Sequence, residues 1–571
     1  MAGALHEMTE RLRAVLPVLR WLPVYDRSWL RADVVAGLTV AAALVPEALA
    51  YASLANLPPE AGLYGALAAV TVYLVFGTSR RVVFGPTSAL AILLASGVGG
   101  VAGTTAADYA SLVAVTTVLV GLIACTAWVF RLGFLVNFVS GSVLTGFSAG
   151  AALYIVSTQV GTLLGIDGGS GNVFERLWYV ANHLEATNTP TLALGIAALV
   201  VLIVGNRLFP RAPTALIVVG LSTALMAVTD LEPLGVAVVG SIPAGLPPVA
   251  LPSVPEPSTV LALVPVAFAL FLLSYVEGVG VAETFARKHD ERVDANQELL
   301  AEGVGNLFAG LSSGFVVGGS LSRSALNDAM GVRSQLANAI VVAGILVVLL
   351  FLTGPFASLP EVVLSAVIVV AVLELIDVDA FQRLFRVSKS EFTIAVGSLV
   401  GVIAVGLLWG VFIGVFVSLL VTIGRISDPK IVALGRVPGT DHFVDQRRHD
   451  EVEDVSAVAV YRVEAQLFYA NASRVRETIL ARVDGSTRPV DLVVLDLISS
   501  PTVDLEAIRM LESLHAGLAS RGVDFRLAGA DAQVCRLLRR SGLEETVGTV
   551  GEEETISTVI ERWWSKAAET D

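Results

Sequence analysis

Between Val34 and Ile426 the sequence is a succession of apolar runs, most of them close to the roughly 20 residues that an α-helix needs to cross the hydrocarbon of a bilayer. In lipid every backbone N–H and C=O must be satisfied internally, so runs of this kind specify spanning helices. The runs fall near 33–54, 62–77, 86–99, 111–130, 135–155, 190–206, 212–229, 258–286, 293–312, 319–330, 335–353, 359–376, 390–407 and 409–426, fourteen in all. Hydrophobic residues make up 55% of the chain and charged residues only 15%, yet from Asp428 onward charges recur every few positions, as in a soluble domain. The expected organisation is an N-terminal segment (1–32), a membrane region (33–427) and a soluble C-terminal domain (428–571).

The N-terminal segment carries Arg11, Arg13, Arg20, Arg27 and Arg31 among interspersed acids, without the apolar stretch and small-residue site of a cleaved signal peptide. Basic connections retained on the cytosolic side orient a multi-pass chain. With the N-terminus inside, the cations from Arg80, Arg81 and Arg131 through Arg287, Lys288, Arg292 and Arg333 to Lys389 and Arg425 all fall in cytosolic connections, and Arg176 alone falls outside. Gain or loss of one span would scramble that asymmetry. An even count follows, with both termini in the cytosol and the protein in the cytoplasmic membrane.

The formal net charge of −14 arises largely in the last third and argues against nucleic acid as a partner. Cys125 lies in an apolar run and Cys535 in the soluble region, so neither a disulfide nor a cysteine metal site is implied. No nucleophile–base set, phosphate loop or metal cluster points to an enzyme, and no cofactor is expected.

Two runs are too short to cross. They open at Gly85-Pro86-Thr87-Ser88 and at Gly318-Gly319-Ser320-Leu321-Ser322, and they follow Glu47 and Glu277 at similar spacings. Short, Gly/Pro-interrupted segments at matching places in two halves point to a seven-plus-seven inverted repeat with its site near the midplane. A helix that begins inside the membrane has unpartnered amides and a partial positive charge at its start, and two such starts facing one another make an anion site. Thr87, Ser88, Ser320 and Ser322 add hydroxyls beside the amides of that site, which include Leu321. Small residues here also permit close helix packing, and their hydroxyls can bond their own backbone.

Arg323 follows in the same short helix and must face protein or a water-filled cavity. It deepens the attraction for an anion; the alternative is a structural arginine paired to an acid such as Glu277, or one in the cytosolic vestibule. Glu47 and Tyr51 share one face of the first helix. A carboxylate there repels an anion when ionised and donates when protonated, which makes Glu47 a candidate proton-coupling group, with Glu277 a second. The alternative for Glu47 is an acid satisfied by serine or backbone. Glu283, at i+4 from Arg287, reads as a surface ion pair.

Several stretches carry a resemblance: Asp33-Val-Val-Ala-Gly-Leu-Thr-Val, Val45-Pro46-Glu47-Ala-Leu-Ala-Tyr51-Ala, Leu57-Pro58-Pro59 through Gly62-Leu63-Tyr64, Gly77-Thr78-Ser79-Arg80, Asn296-Gln297-Glu298-Leu299 and Gly319 through Asn327. Together they resemble the signature of the SulP sulfate permease family, whose animal members include prestin and pendrin. The resemblance implies a core domain moving against a gate domain, usually in a homodimer, with the anion between the third and tenth segments, at Thr87 and Ser320 to Arg323. Residues at the Glu47 and Tyr51 positions line that site. Glutamate where many relatives carry glutamine resembles the proton-coupled bacterial members, and Gly278 beside Glu277 makes sodium the less expected coupling ion.

The soluble end alternates strands and helices: strands at 455–463, 466–470, 491–497 and 524–527, helices at 474–483, 505–519 and 532–541. Such alternation is the mark of a small α/β layer fold. With Phe468-Tyr469-Ala470-Asn471 and Val494-Leu495-Asp496 it resembles the STAS domain, related to anti-sigma-factor antagonists. Leu505 stands where phosphorylated antagonists carry serine or threonine, so docking or regulation is the expected role. The function expected is secondary active, proton-coupled transport of sulfate or a similar small anion such as bicarbonate, nitrate or a dicarboxylate. The alternatives are a nucleobase symporter of the same architecture and a membrane sensor signalling through its soluble domain.

Overall fold

The apolar runs fold into fourteen helices: α1 (Leu30–Leu54), α2 (Pro59–Phe76), α3 (Ser88–Gly99), α4 (Ala106–Val129), α5 (Gly141–Leu164), α6 (Thr189–Leu208), α7 (Thr214–Val228), α8 (Pro257–His289), α9 (Ala295–Leu311), α10 (Leu321–Ala329), α11 (Leu336–Val347), α12 (Glu361–Leu373), α13 (Lys389–Val405) and α14 (Leu407–Ser427). The computed structural model describes residues 15–101, 106–134, 140–169, 171–209, 212–229, 231–449, 452–548, 550–551 and 554–570. Arg11, Arg13 and Arg211, and the side chain of Arg425, lie outside the described residues. By contacts the chain divides into two units, Met1–Ser418 and Leu419–Asp571.

Among the described residues, α1, α2, α4, α5, α6, α8 and α11 (continued through a π-turn to Ala357) are each long and apolar enough to cross a bilayer unaided. α9 is not, because Glu298, Glu302 and Asn306 interrupt its apolar surface; all three are buried against other helices. The two halves of the helical unit repeat one plan. The third helix of each half, α3 or α10, is short and preceded by a two-residue strand, β1 (Phe84–Gly85) or β2 (Gly318–Gly319). The fifth, α5 or α12, is followed by a short polar-faced helix, Val173–Asn182 or Val378–Val387.

Packing sorts the helices into two groups. α9 lies against α2 and α4, α11 against α1 and α2, and α8 against α3 and α4. α13 lies against α5, and α12 against α5 and α6. These groups are the core and gate of the expected architecture, and α1 touches both, through α7 and α12. Without a hydrophobic drive between helices in lipid, close approach of small residues supplies the packing. At the α4–α9 crossing a Cβ on Gly303 would lie 2.6 Å from Cys125 Sγ, which leaves room for nothing larger than hydrogen.

The second unit holds a five-stranded sheet in the order β4-β3-β5-β6-β7, built from β3 (Ile431–Arg436), β4 (Phe443–Asp445), β5 (Val458–Val463), β6 (Leu492–Asp496) and β7 (Asp524–Ala528). β5, β6 and β7 run parallel, and β3 is antiparallel to both its neighbours. α15 (Ala472–Asp484), α16 (Leu505–Ala519) and α17 (Ala532–Arg540) cover one face, while Ile556, Val559 and Ile560 of the terminal helix Ile556–Thr570 cover the other. Both faces are therefore dry, which is why β6 reads as an unbroken apolar run. Two corrections apply. The segment 466–470 is no strand: only Leu467 makes an isolated bridge, to Val503. β3 and β4 went unread because their residues sit among charged and turn-forming neighbours.

Candidate functional site

The strands that precede the two short helices pair with each other. β1 and β2 are antiparallel, with Phe84 opposite Gly319 and Gly85 opposite Gly318, and the Ser320 amide donates to the Val83 carbonyl at 3.1 Å. This buried ribbon brings the starts of α3 and α10 together. It needs glycine where it crosses α8, since a Cβ on Gly319 would stand 2.6 Å from Gly278 Cα. Ser274 Oγ and Asn306 Nδ2 both donate to the Val317 carbonyl, at 2.9 and 3.1 Å, and Val317 N donates to Asn306 Oδ1 at 3.0 Å. The Ser324 hydroxyl accepts from Val83 N at 3.0 Å. Every backbone group of an irregular segment inside a membrane needs such a partner.

Thr87 and Ser320 are the N-cap residues of α3 and α10. Thr87 Oγ1 accepts from Leu90 N at 3.4 Å and Ser320 Oγ from Arg323 N at 3.5 Å, both long, and Ser320 Oγ lies 3.4 Å from Ser322 Oγ. The amides of Ser88, Ala89, Leu321 and Ser322 find no partner among the described residues. Ser88 is buried, whereas Leu321 and Ser322 are exposed. Tyr51 is buried on α1, with Glu47, Arg323 and Ser88 for neighbours.

Arg323 is 1% exposed, and its guanidinium reaches from the second half to two groups of the first: Nη1 donates to Glu47 Oε2 at 3.0 Å and Nη2 to the Pro86 carbonyl at 2.8 Å. Its buried Nε has no acceptor among the described residues. The charge of Arg323 is thus already balanced by Glu47, which corrects the pairing with Glu277 weighed from sequence, and Glu47 is held by a cation rather than by serine or backbone. Glu277 is half-buried on α8, adjacent to Gly278, makes no hydrogen bond or ion pair among the described residues and has Glu302 as its charged neighbour. The structure brings Glu47, Tyr51, Ser88, Arg323 and the two helix starts together and leaves Glu277 unpaired. Glu283 does form the exposed pair with Arg287, at 3.6 Å.

Residues that fix this arrangement were read from sequence only as parts of the resemblance (Thr78, Glu298, Asn327) or as a cytosolic cation (Arg81), without a role at the site. Glu298 Oε1 accepts from Thr78 N and Oγ1, at 2.9 and 2.5 Å, tying α9 to the end of α2. Arg81 reaches Asp328 and Glu291 at 2.9 and 2.7 Å, and Asn327 Nδ2 donates to the Arg81 carbonyl, anchoring the far end of α10. The available signal was a polar side chain within an apolar run, since a buried amide or charge persists only when it has partners.

Residues 30–398 match the sulfate permease family and residues 449–559 match the STAS domain. A probable sulfate transporter of Mycobacterium tuberculosis is 37% identical over 524 residues, covering 92% of this chain and 93% of its own. The high affinity sulfate transporter 2 of Stylosanthes hamata is 30% identical, covering 94% of this chain and 84% of its own. The solved structure of SLC26A9 has a TM-score of 0.89 at 25% identity, covering 99% of this chain and 95% of that one.

Proposed function

This chain belongs to the sulfate permease family, and from that premise we propose that it carries sulfate or a similarly small anion across the cytoplasmic membrane together with protons, by alternating access and as a homodimer. It is a membrane anion transporter with a STAS domain, not an enzyme. Family membership also removes the ground for the nucleobase-carrier alternative.

The observation that carries the proposal is the ion pair between Arg323 and Glu47 at the joined starts of α3 and α10. The unpartnered amides of Ser88, Ala89, Leu321 and Ser322, with Arg323 Nε, offer N–H donors to a guest that need not be a shape-specific partner. While Glu47 is ionised, its charge neutralises Arg323 and repels an incoming anion. A proton on Glu47 removes that repulsion and frees Arg323 Nη1, so anion and proton each favour the other's binding, as linkage requires. Thr87, Ser320 and Ser322 hydroxyls orient the guest, Tyr51 closes the α1 side, and Glu277 is a second proton-accepting carboxyl on α8. The cytosolic placement of both termini rests on the distribution of basic connections.

Uptake of radiolabelled sulfate into proteoliposomes, with and without an inwardly directed proton gradient, tests this reading. Wild type accumulates sulfate only with the gradient, whereas Glu47→Gln still binds sulfate and exchanges it but no longer accumulates it. A pH response unchanged by Glu47→Gln would remove Glu47 from the coupling, and competition by bicarbonate, nitrate or a dicarboxylate ranks the substrates.

A further inference from the structure

A cavity of about 830 Å³ lies at the end of the helical unit where α2, α4 and α8 finish and α9 begins. Its walls come from the segment around Pro17 to Trp21, from the connections after α2 and α4, and from the turn between α8 and α9. No helix of the gate group contributes to it, and neither does any of the residues at the joined starts of α3 and α10. It therefore shares no lining residue with the site that holds Arg323 and Glu47.

Four arginines line it: Arg20, Arg80, Arg131 and Arg292. The side chain of none of the four makes a hydrogen bond or ion pair with another described residue. Cations left facing one cavity from four separate chain segments repel each other, and such an arrangement calls for a multivalent anion. Neither of the two acids on the wall pairs with one of the four, and with Glu283 matched by Arg287 the single charge of Asp294 leaves the wall strongly cationic. Glu283 is engaged by Arg287 at 3.6 Å, and Asp294 Oδ1 accepts from the amides of Asn296 and Gln297, at 3.0 and 3.1 Å, as the cap of α9. The wall also holds a buried donor without an acceptor, Trp21 Nε1.

The segment that carries Trp21 and Arg20 points to the source of the anion. Leu19, Leu22 and Val24 are exposed beside them, and Tyr25 packs edge-on against Trp29 at 5.9 Å. Tryptophan and tyrosine next to exposed aliphatic side chains and arginines are the residues that settle at a bilayer's headgroup level. The face is also the one that the basic connections assign to the cytosol, whose leaflet carries anionic lipid.

We propose that this cavity binds a phosphate group through Arg20, Arg80, Arg131 and Arg292, and that the phosphate is the headgroup of an anionic phospholipid whose acyl chains lie along Leu19, Leu22 and Val24. The site is a lipid anchor for the core group of helices, independent of the transported anion.

Native mass spectrometry of the full-length protein, released from micelles doped with phosphatidylglycerol or phosphatidylcholine, reads the site directly. Phosphatidylglycerol stays bound to wild type and phosphatidylcholine does not. The triple substitution Arg80→Gln, Arg131→Gln, Arg292→Gln lowers phosphatidylglycerol affinity roughly a hundred-fold, three interfacial charges each contributing about 1 kcal/mol. The corresponding triple lysine variant, which keeps the charges, retains most of the binding and serves as the control for folding. Pyrophosphate added without lipid forms the other arm: if it binds and phosphatidylglycerol does not, the phosphate chemistry stands and the lipid source is wrong. Equal phosphatidylglycerol retention by wild type and the glutamine variant, or binding of neither probe, overturns the proposal.

Discussion

Replacing Arg323 by methionine removes the cation that faces Glu47 and leaves a chain of similar volume. With Arg323 1% exposed and Glu47 13% exposed, solvent screens little of the consequence. Breaking a buried pair by deleting one partner strands the other charge and costs ~3–5 kcal/mol. The Pro86 carbonyl also loses its 2.8 Å donor, an orphaned acceptor worth ~1–3 kcal/mol. Glu47→Gln keeps an oxygen that Nη1 reaches but strands the more deeply buried guanidinium charge in its turn, and it too costs ~3–5 kcal/mol. Since the glutamine in the double variant no longer carries a charge to strand, Arg323→Met with Glu47→Gln falls short of the sum by about 1–3 kcal/mol, the range for residues in direct contact. Equilibrium unfolding in mixed micelles by a denaturing detergent, followed by far-UV circular dichroism, measures all four corners of the cycle. Additivity to within ~0.5 kcal/mol would mean that the two side chains do not act on one another, and the charge-balance argument for proton coupling would go with it.

Gly303→Ala puts a methyl group where Cys125 Sγ already stands, so the α4–α9 crossing opens and stability falls by ~1–3 kcal/mol in the same unfolding assay. Asp33 is fully buried and accepts from Arg333 N at 2.7 Å, Ser334 N at 3.1 Å and Ser334 Oγ at 2.7 Å; Asp33→Ala undoes the tie between α1 and the α10–α11 connection, at roughly 3 kcal/mol. Ser320→Ala removes a 3.5 Å cap bond and one hydroxyl donor, so the KM for anion uptake rises several-fold while the unfolding midpoint moves little. In the STAS unit, hydrogen bonds from Arg521 hold the Asp484 carboxyl below its ordinary value; the pair's contribution is present above the usual carboxylate range and lost only as pH falls through the lowered value. Arg521→Gln returns the Asp484 titration, followed by carboxyl-carbon NMR, to the ordinary range, and an unshifted titration in wild type would contradict the assignment.

Helix count and type were legible because each spanning run is its own signal: twenty apolar residues read the same wherever they sit. The short segments at Pro86 and Gly319 stood out for the complementary reason, since glycine and proline punctuate a run that would otherwise continue. The partner of Arg323 was not legible. Glu47 and Glu277 hold comparable places in the two halves, and only the register in which β1 meets β2 decides which carboxylate the guanidinium reaches. Asn306, Asn327 and Glu298 look like isolated polar interruptions until the carbonyls and amides they serve are brought beside them by distant parts of the chain. In the soluble unit, the buried parallel strands announce themselves by composition, as Leu492 to Leu495 do, while β3 and β4 depend on pairing with neighbours for their identity.

The two-residue ribbon that joins β1 to β2 has a mechanical corollary. Its hydrogen bonds are sealed from water, and separating the strands would expose bare peptide groups to hydrocarbon at several kcal/mol apiece. The two helix starts that form the cradle therefore travel as one piece with α8, on which Gly319 rests. In the proposed alternating-access cycle, the excursion from one aqueous side to the other is a displacement of that whole cartridge against its surroundings, and the grip on the proposed cargo is not loosened by the stroke that carries it.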